Sequence, residues 1–157
     1  MPFFDMIDSR NWFLDSAVLP SHLRLPAGAR WLHVVVSGTG RIVFAWLTAD
    51  CTAQTAINTL GAALDARTQT GIPLPSTLVT DRSVAVTSRE FASYVLARGL
   101  CLQRLHPTAV HQVTERVLDR FCTVVLPEAL PLAADTRELN RRLVGAIISA
   151  ETLASAV

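Results

Sequence analysis

The chain has 157 residues, half of them hydrophobic and 17% charged, a composition that builds one compact domain and excludes a disordered chain. Its 14 basic residues are all arginine and stand against 13 acids for a formal net charge of +1. That balance excludes a broad basic footprint, so a nucleic-acid backbone would have to be held by a local arginine patch. Cys51, Cys101 and Cys122 show neither a CxxC spacing nor a Cys/His zinc pattern and read as reduced core thiols. The four histidines, His22, His33, His106 and His111, likewise form no ligand cluster by spacing. No apolar run is long enough to span a bilayer. The first ten residues, with Asp5 and Asp8, lack the basic flank and apolar stretch of a signal peptide, so the expected compartment is the cytoplasm.

Residues 1 to 10 read as a loose arm, and residues 11 to 157 as a single domain. A first strand is expected over Asn11–Leu19, and Pro26 and Gly28 mark the connection after it. Trp31–Val36 is a nearly continuous apolar run, as in a strand covered on both faces. Ser37-Gly38-Thr39-Gly40 is turn chemistry, and Arg41–Thr48 returns as a third strand of an antiparallel meander. The period then changes: Ala56, Ile57, Leu60, Ala63 and Leu64 have helical spacing within Thr52–Arg67, with Asp50 or Thr52 as cap. Ser76–Asp81 reads as a fourth strand. Thr87-Ser88-Arg89-Glu90 has the form of a capping box opening a helix to Arg98, which Gly99 is placed to end. A short fifth strand, Leu100–His106, stops at Pro107. Val113, Val117, Leu118, Phe121 and Val125 then give a helix from about Ala109 to Val125, interrupted by Pro127, and Asp135-Thr136-Arg137-Glu138 opens a final helix. The order β-β-β-α-β-α-β-α-α describes a mixed sheet with helices on its faces.

Three acids stand out. Asp15 and Asp81 lie in runs read as buried strands, and Glu115 opens a stretch with helical spacing. A single carboxylate of this kind is most often a salt-bridged structural acid, because an unpaired one is costly to desolvate. Three of them separated by βαβ elements point instead to a metal site, provided the fourth strand returns beside the first.

The motifs carry a resemblance. Trp12-Phe13-Leu14-Asp15 resembles the strand bearing the first catalytic aspartate of the retroviral integrases and insertion-sequence transposases. Val35–Trp46 is similar to the hairpin that follows, and Thr52-Ala53-Gln54-Thr55-Ala56 to the start of that family's first helix. Leu78-Val79-Thr80-Asp81 followed by Thr87-Ser88-Arg89-Glu90-Phe91 looks like the family's strand ending in Thr-Asp and its Thr-Ser-x-x-Phe helix start. Gln112-Val113-Thr114-Glu115-Arg116 falls where that family has its catalytic Glu-Arg, with thirty-three residues between Asp81 and Glu115, close to the usual interval. The chain departs from the pattern in Arg82-Ser83, where Asn-Gly is usual, in the loop His106–His111, and in Leu118 and Asp119 after the glutamate.

The resemblance implies an α/β, ribonuclease H-like core: a five-stranded mixed sheet, three antiparallel strands then two parallel, flanked by helices. It implies a DDE-type polynucleotidyl transferase in which Asp15, Asp81 and Glu115 hold Mg²⁺ or Mn²⁺, ions that prefer oxygen ligands. Such ions would serve strand nicking and strand transfer on DNA by in-line attack at phosphorus. Arg82, Arg104, Arg116 and Arg120 are expected near the same edge, as phosphate contacts or as solvated charges. His111 is a candidate gate beside Glu115, and Asp119 lies one turn beyond that acid. Ser16, Ser37 and Ser83 have no His/Asp arrangement by spacing that would support a hydrolase triad. The apolar surplus of the last helix, Leu139, Leu143, Ile147, Ile148 and Leu153, is expected partly on the sheet and partly in a homodimer or higher oligomer. The alternative is a catalytically degenerate integrase-like core that binds nucleic acid or protein.

Overall fold

The computed structural model describes residues 10–70 and 73–155, with side-chain environments for all of these except 68–70 and 148–155. The expected arm, apart from Arg10, lies outside the described residues. Five strands form one sheet: β1 (Asn11–Val18), β2 (Trp31–Ser37), β3 (Ile42–Thr48), β4 (Thr77–Thr80) and β5 (Cys101–Arg104). Their order is β3-β2-β1-β4-β5, with β1–β2 and β2–β3 antiparallel and β1–β4 and β4–β5 parallel. The mixed sheet is the one expected, and β4 does return beside β1.

Residue alternation along the strands divides the core between the two faces. Trp12 and Leu14 of β1, Val35 of β2 and Leu78 of β4 pack with Leu60, Leu64, Phe91 and Val95. These last four belong to α1 (Ala53–Thr70) and, after the single turn α2 (Val84–Thr87), to α3 (Arg89–Ala97). The opposite face carries Leu32, Val34 and Val36 against Leu118, Leu139 and Leu143. Leu118 comes from α4 (Pro107–Arg120), which a π-helical turn at Phe121–Val125 joins to α5 (Leu126–Ala129); Leu139 and Leu143 come from α6 (Thr136–Ser155). The sheet-facing half of the last helix is therefore Leu139, Leu143 and Ile147, while the side chains of Ile148 and Leu153 lie outside those described. Cys51, Cys101 and Cys122 are free thiols, as expected, but none is a core residue: Cys101 is exposed and the other two are half-buried. Among the described residues no helix is long and apolar enough to cross a membrane.

The ends of the helices follow local chemistry, with some shifts from expectation. Thr52 caps α1 reciprocally with Thr55: each backbone N–H bonds the other's hydroxyl, at 2.8 and 3.3 Å. At α3 the cap is Ser88, whose hydroxyl accepts from the Phe91 N–H at 3.1 Å; Thr87 is instead the last residue of α2. The displacement puts Glu90 one position too early for the reciprocal bond of a capping box. Gly99, at φ +76°, ends α3 as expected. The Gly99 N–H reaches the Leu96 carbonyl and the Leu100 N–H the Val95 carbonyl, the paired bonds of a Schellman motif. Further on, α4 starts two residues earlier than its apolar pattern suggests. Pro107 has no N–H to leave unpaired in the first turn, and the His106 imidazole accepts from the Thr108 N–H at 3.2 Å. Pro127 does not interrupt the helical path. The preceding turn widens, with the Leu126 N–H bonded to the Phe121 carbonyl, and Pro127 sits in the first turn of α5.

Candidate functional site

The parallel register of β1 and β4 pairs Asn11 with Thr77, Trp12 with Leu78 and Phe13 with Val79. Two residues beyond that last pair come Asp15 in β1 and Asp81 just past the end of β4, where the two chain segments part. Period-two alternation puts Asp15 on the face of Phe13, and that face is covered by α4. Phe13, Val79 and Val110 of α4 form a small apolar core. One helical turn after Val110 stands Thr114, which is fully buried, and its hydroxyl donates to Asp15 Oδ2 at 2.6 Å. The apolar cluster Phe13–Val79–Val110 is thus followed by the Asp15–Thr114 hydrogen bond, with Asp81 near enough for its charge to act on Asp15.

Only 11% of the Asp15 side chain is exposed. That burial raises its pKa, and the Asp81 charge pushes in the same direction; the Thr114 hydroxyl, the Ser16 N–H at 2.9 Å and His111 oppose it. His111 Nδ1 lies 3.8 Å from Asp15 Oδ2 on a largely exposed side chain. Asp81 is anchored differently, its Oδ1 accepting from the Ser83 N–H at 2.9 Å, which folds the chain after β4 into a turn.

Glu115 follows Thr114 and therefore points about 100° further round the helix. It is exposed and lines an open cleft with Ala17, His111, Arg116, Asp119 and Cys122. Among the described residues no three His, Cys, Asp or Glu side chains form a group that could hold a metal ion. The fold sets Asp15 and Asp81 close enough for the Asp81 charge to raise Asp15, and leaves Glu115 in the neighbouring cleft. Two like charges, one of them poorly hydrated, are a donor set that a single hard cation would relieve. A three-carboxylate, two-ion centre is not assembled by the residues as they stand.

The arginines divide. Arg82 is exposed directly after Asp81, and Arg116 and Arg120 are exposed on α4. Arg104 is half-buried, with Nε and one terminal nitrogen donating to the Val86 carbonyl at 3.2 and 2.9 Å. It ties the short α2 to β5. Asp119 stays on the cleft side with Glu115.

Sequence reading missed Thr114. The buried row of α4 is Val110, Thr114 and Leu118, an i, i+4, i+8 series, whereas a stripe phased on Val113 and Val117 faces a third of a turn away. The series was available as a signal but was masked by one polar member. Ser16 also departs from expectation, because it does meet a histidine: Ser16 Oγ is 2.6 Å from His33 Nδ1, and His33 Nε2 is 2.6 Å from Thr48 Oγ1. The third partner is a hydroxyl, and the rung runs across β1, β2 and β3 on the face opposite Asp15. It lacks the carboxylate of a hydrolase triad.

Neither a family model nor a curated protein matches the sequence. Solved structures do match. The chain superposes on a chain of the simian T-cell lymphotropic virus intasome, determined in complex with the PP2A regulatory subunit B56 gamma, with a TM-score of 0.66 and 20% identity over 88% of its length. It spans about half of that viral chain, 48%. It also superposes on the catalytic core domain of BIV integrase with a TM-score of 0.65 and 14% identity, over 87% of this chain and 82% of that one. At these identities the likeness is one of fold: the five-stranded sheet and its flanking helices are those of an integrase catalytic core.

Proposed function

We propose that the chain is an integrase-like core domain that engages DNA at the edge bearing Asp15 and Asp81 and takes up Mg²⁺ or Mn²⁺ between them. The observation that supports this reading is the meeting of two carboxylates where adjacent parallel strands part, with burial and mutual repulsion raising Asp15. When bound, a divalent ion at such a pair would supply Lewis-acid activation at phosphorus and neutralise developing charge. The chain's own residues do the positioning. Ser16 and Thr114 fix the Asp15 carboxyl group through its two oxygens, and the turn at Ser83 fixes Asp81. The exposed Arg82, Arg116 and Arg120 are suited to phosphate oxygens beside the pair, where arginine forks set register rather than sequence. DNA and a homo-oligomeric state fit the integrase and intasome structures that share this fold.

The finer reading is a DDE-type polynucleotidyl transferase with Glu115 as the third acid. It requires that carboxylate to enter from the cleft it lines. The alternative, a catalytically degenerate core serving as a nucleic-acid- or protein-binding module, is favoured by one observation: the helix group meeting Asp15 is the neutral Thr114 hydroxyl.

Calorimetric titration of Mn²⁺ into the wild type and Asp81→Ala tests the pair, with saturable binding expected for the wild type and its loss in the variant. No binding by either would remove the metal from the proposal. A nicking assay on labelled duplex ends with Mn²⁺ then separates the two finer readings, because cleavage that disappears in Asp81→Ala requires the transferase.

A further inference from the structure

We infer that the helix position aimed at the Asp15–Asp81 pair is 114 and not 115, so that Thr114 stands where a third carboxylate would complete a divalent-cation site. The inference rests on the reading of Asp15 and Asp81 as the cation pair and assigns the third position of that same site. It follows from the phase of one helix. Val110, Thr114 and Leu118 are the buried row of α4: Val110 closes the small core with Phe13 and Val79, and Leu118 packs in the larger core with Val34 and Leu143. Bringing Glu115 to the place of Thr114 would take a rotation of about 100° about the helix axis, drawing Val110 and Leu118 out of both cores.

The contacts agree with the phase. Thr114 Oγ1 is 2.6 Å from Asp15 Oδ2, an oxygen that a cation would otherwise use. Glu115 is exposed and shares the cleft with His111 and Asp119, its neighbours one turn before and after. A neutral hydroxyl in the third position leaves the site two negative charges instead of three and lowers its affinity for a hard cation, since ligand charge sets that affinity.

The test exchanges the third ligand and reads metal binding directly, by Mn²⁺ calorimetry and by Mn²⁺-dependent shifts in melting temperature. Thr114→Glu is expected to bind Mn²⁺ roughly tenfold tighter than the wild type, or better. Its metal-free form should melt lower than the wild type, because three like charges crowd one partly buried spot, and Mn²⁺ should restore it. Adding Asp81→Ala should abolish the gain. If glutamate at this packed position prevents folding, Thr114→Asp, shorter by one methylene, carries the same test. A folded carboxylate variant with no gain over wild type overturns the inference. Loss of wild-type Mn²⁺ binding in Glu115→Gln also overturns it, while leaving the acid pair as the cation site. Absence of Mn²⁺ binding in the wild type and both carboxylate variants would take down the pair itself.

Discussion

At the scale of single residues, what a side chain does here is set by the face of the sheet on which it falls. Asp15 and Ser16 are neighbours in sequence and point to opposite faces, one to α4 and a partner carboxylate, the other to a buried histidine. The Ser16–His33–Thr48 rung is internally consistent for a neutral ring. Thr48 Oγ1 donates to the Asp50 carbonyl at 2.5 Å, so it accepts from the His33 Nε2–H, leaving Nδ1 to accept from Ser16. His33 is 1% exposed, and burial, opposed by Asp50, lowers its pKa from 6.5 to about 4. Between those values the unfolded chain holds a proton that the folded chain refuses, so stability falls as pH drops through this window and is insensitive to His33 above it. The full loss is about 3 kcal/mol. Urea unfolding at pH 7 and pH 4.5 should show the difference, and His33→Gln should flatten it; an equal drop in the variant would assign the pH dependence elsewhere. Asp15 has the opposite slope. Its raised pKa lets the folded state take up a proton before the unfolded one as pH falls, which relieves a cost present at neutral pH.

At the scale of elements, the ends proved less legible than the middles. Periodicity located every strand of the sheet and the four long helices that flank it, but not the single turns α2 and α5, since alternation and 3.6-residue spacing are local properties that need several turns to register. The cap of α3 shows how a boundary slips. Thr87 and Ser88 are both good cap residues, and the choice falls on Ser88 because Val84–Thr87 already forms a helical turn burying Ala85 and Val86. Ser88→Ala should therefore cost about 1 kcal/mol, and Thr87→Ala no more than about 0.5 kcal/mol, because its exposed hydroxyl only bonds back to the Val84 carbonyl within the same turn. Thermal unfolding of the two variants checks the order; a reversed order would restore Thr87 as the cap. The same slippage governs α4. One polar residue in its buried row moves the apparent stripe by a third of a turn, and with it the identity of the residue that meets the acid pair.

At the scale of the whole molecule, the sheet must protect an edge as well as bring two acids together. β3 is an outer strand, and an unpaired strand edge is a template for another chain. Here α6 covers part of it. The Asn140 side chain accepts from the Leu47 N–H at 2.7 Å and donates to the Leu47 carbonyl at 2.8 Å, replacing the two bonds that a neighbouring strand would make. Asn140→Leu leaves both backbone groups without their partner and should destabilise the fold by about 1–3 kcal/mol. It should also promote concentration-dependent association, measured by light scattering alongside the unfolding curve. A variant that is weaker yet unchanged in association would limit Asn140 to holding α6 in place.

The sequence by itself determined the order of the strands and of the four long helices, the mixed sheet, the aspartates Asp15 and Asp81 and the likeness to an integrase core. These depend on local periodicity and on motifs a few residues long. Only the tertiary structure decided the rest: the meeting of Asp15 with Asp81 and Thr114, the burial of His33 between two hydroxyls, and the closure of a sheet edge by a residue 93 positions away. Each turns on the rotation or depth of one element against another. Packing of distant side chains sets those quantities, and no short window of sequence contains it.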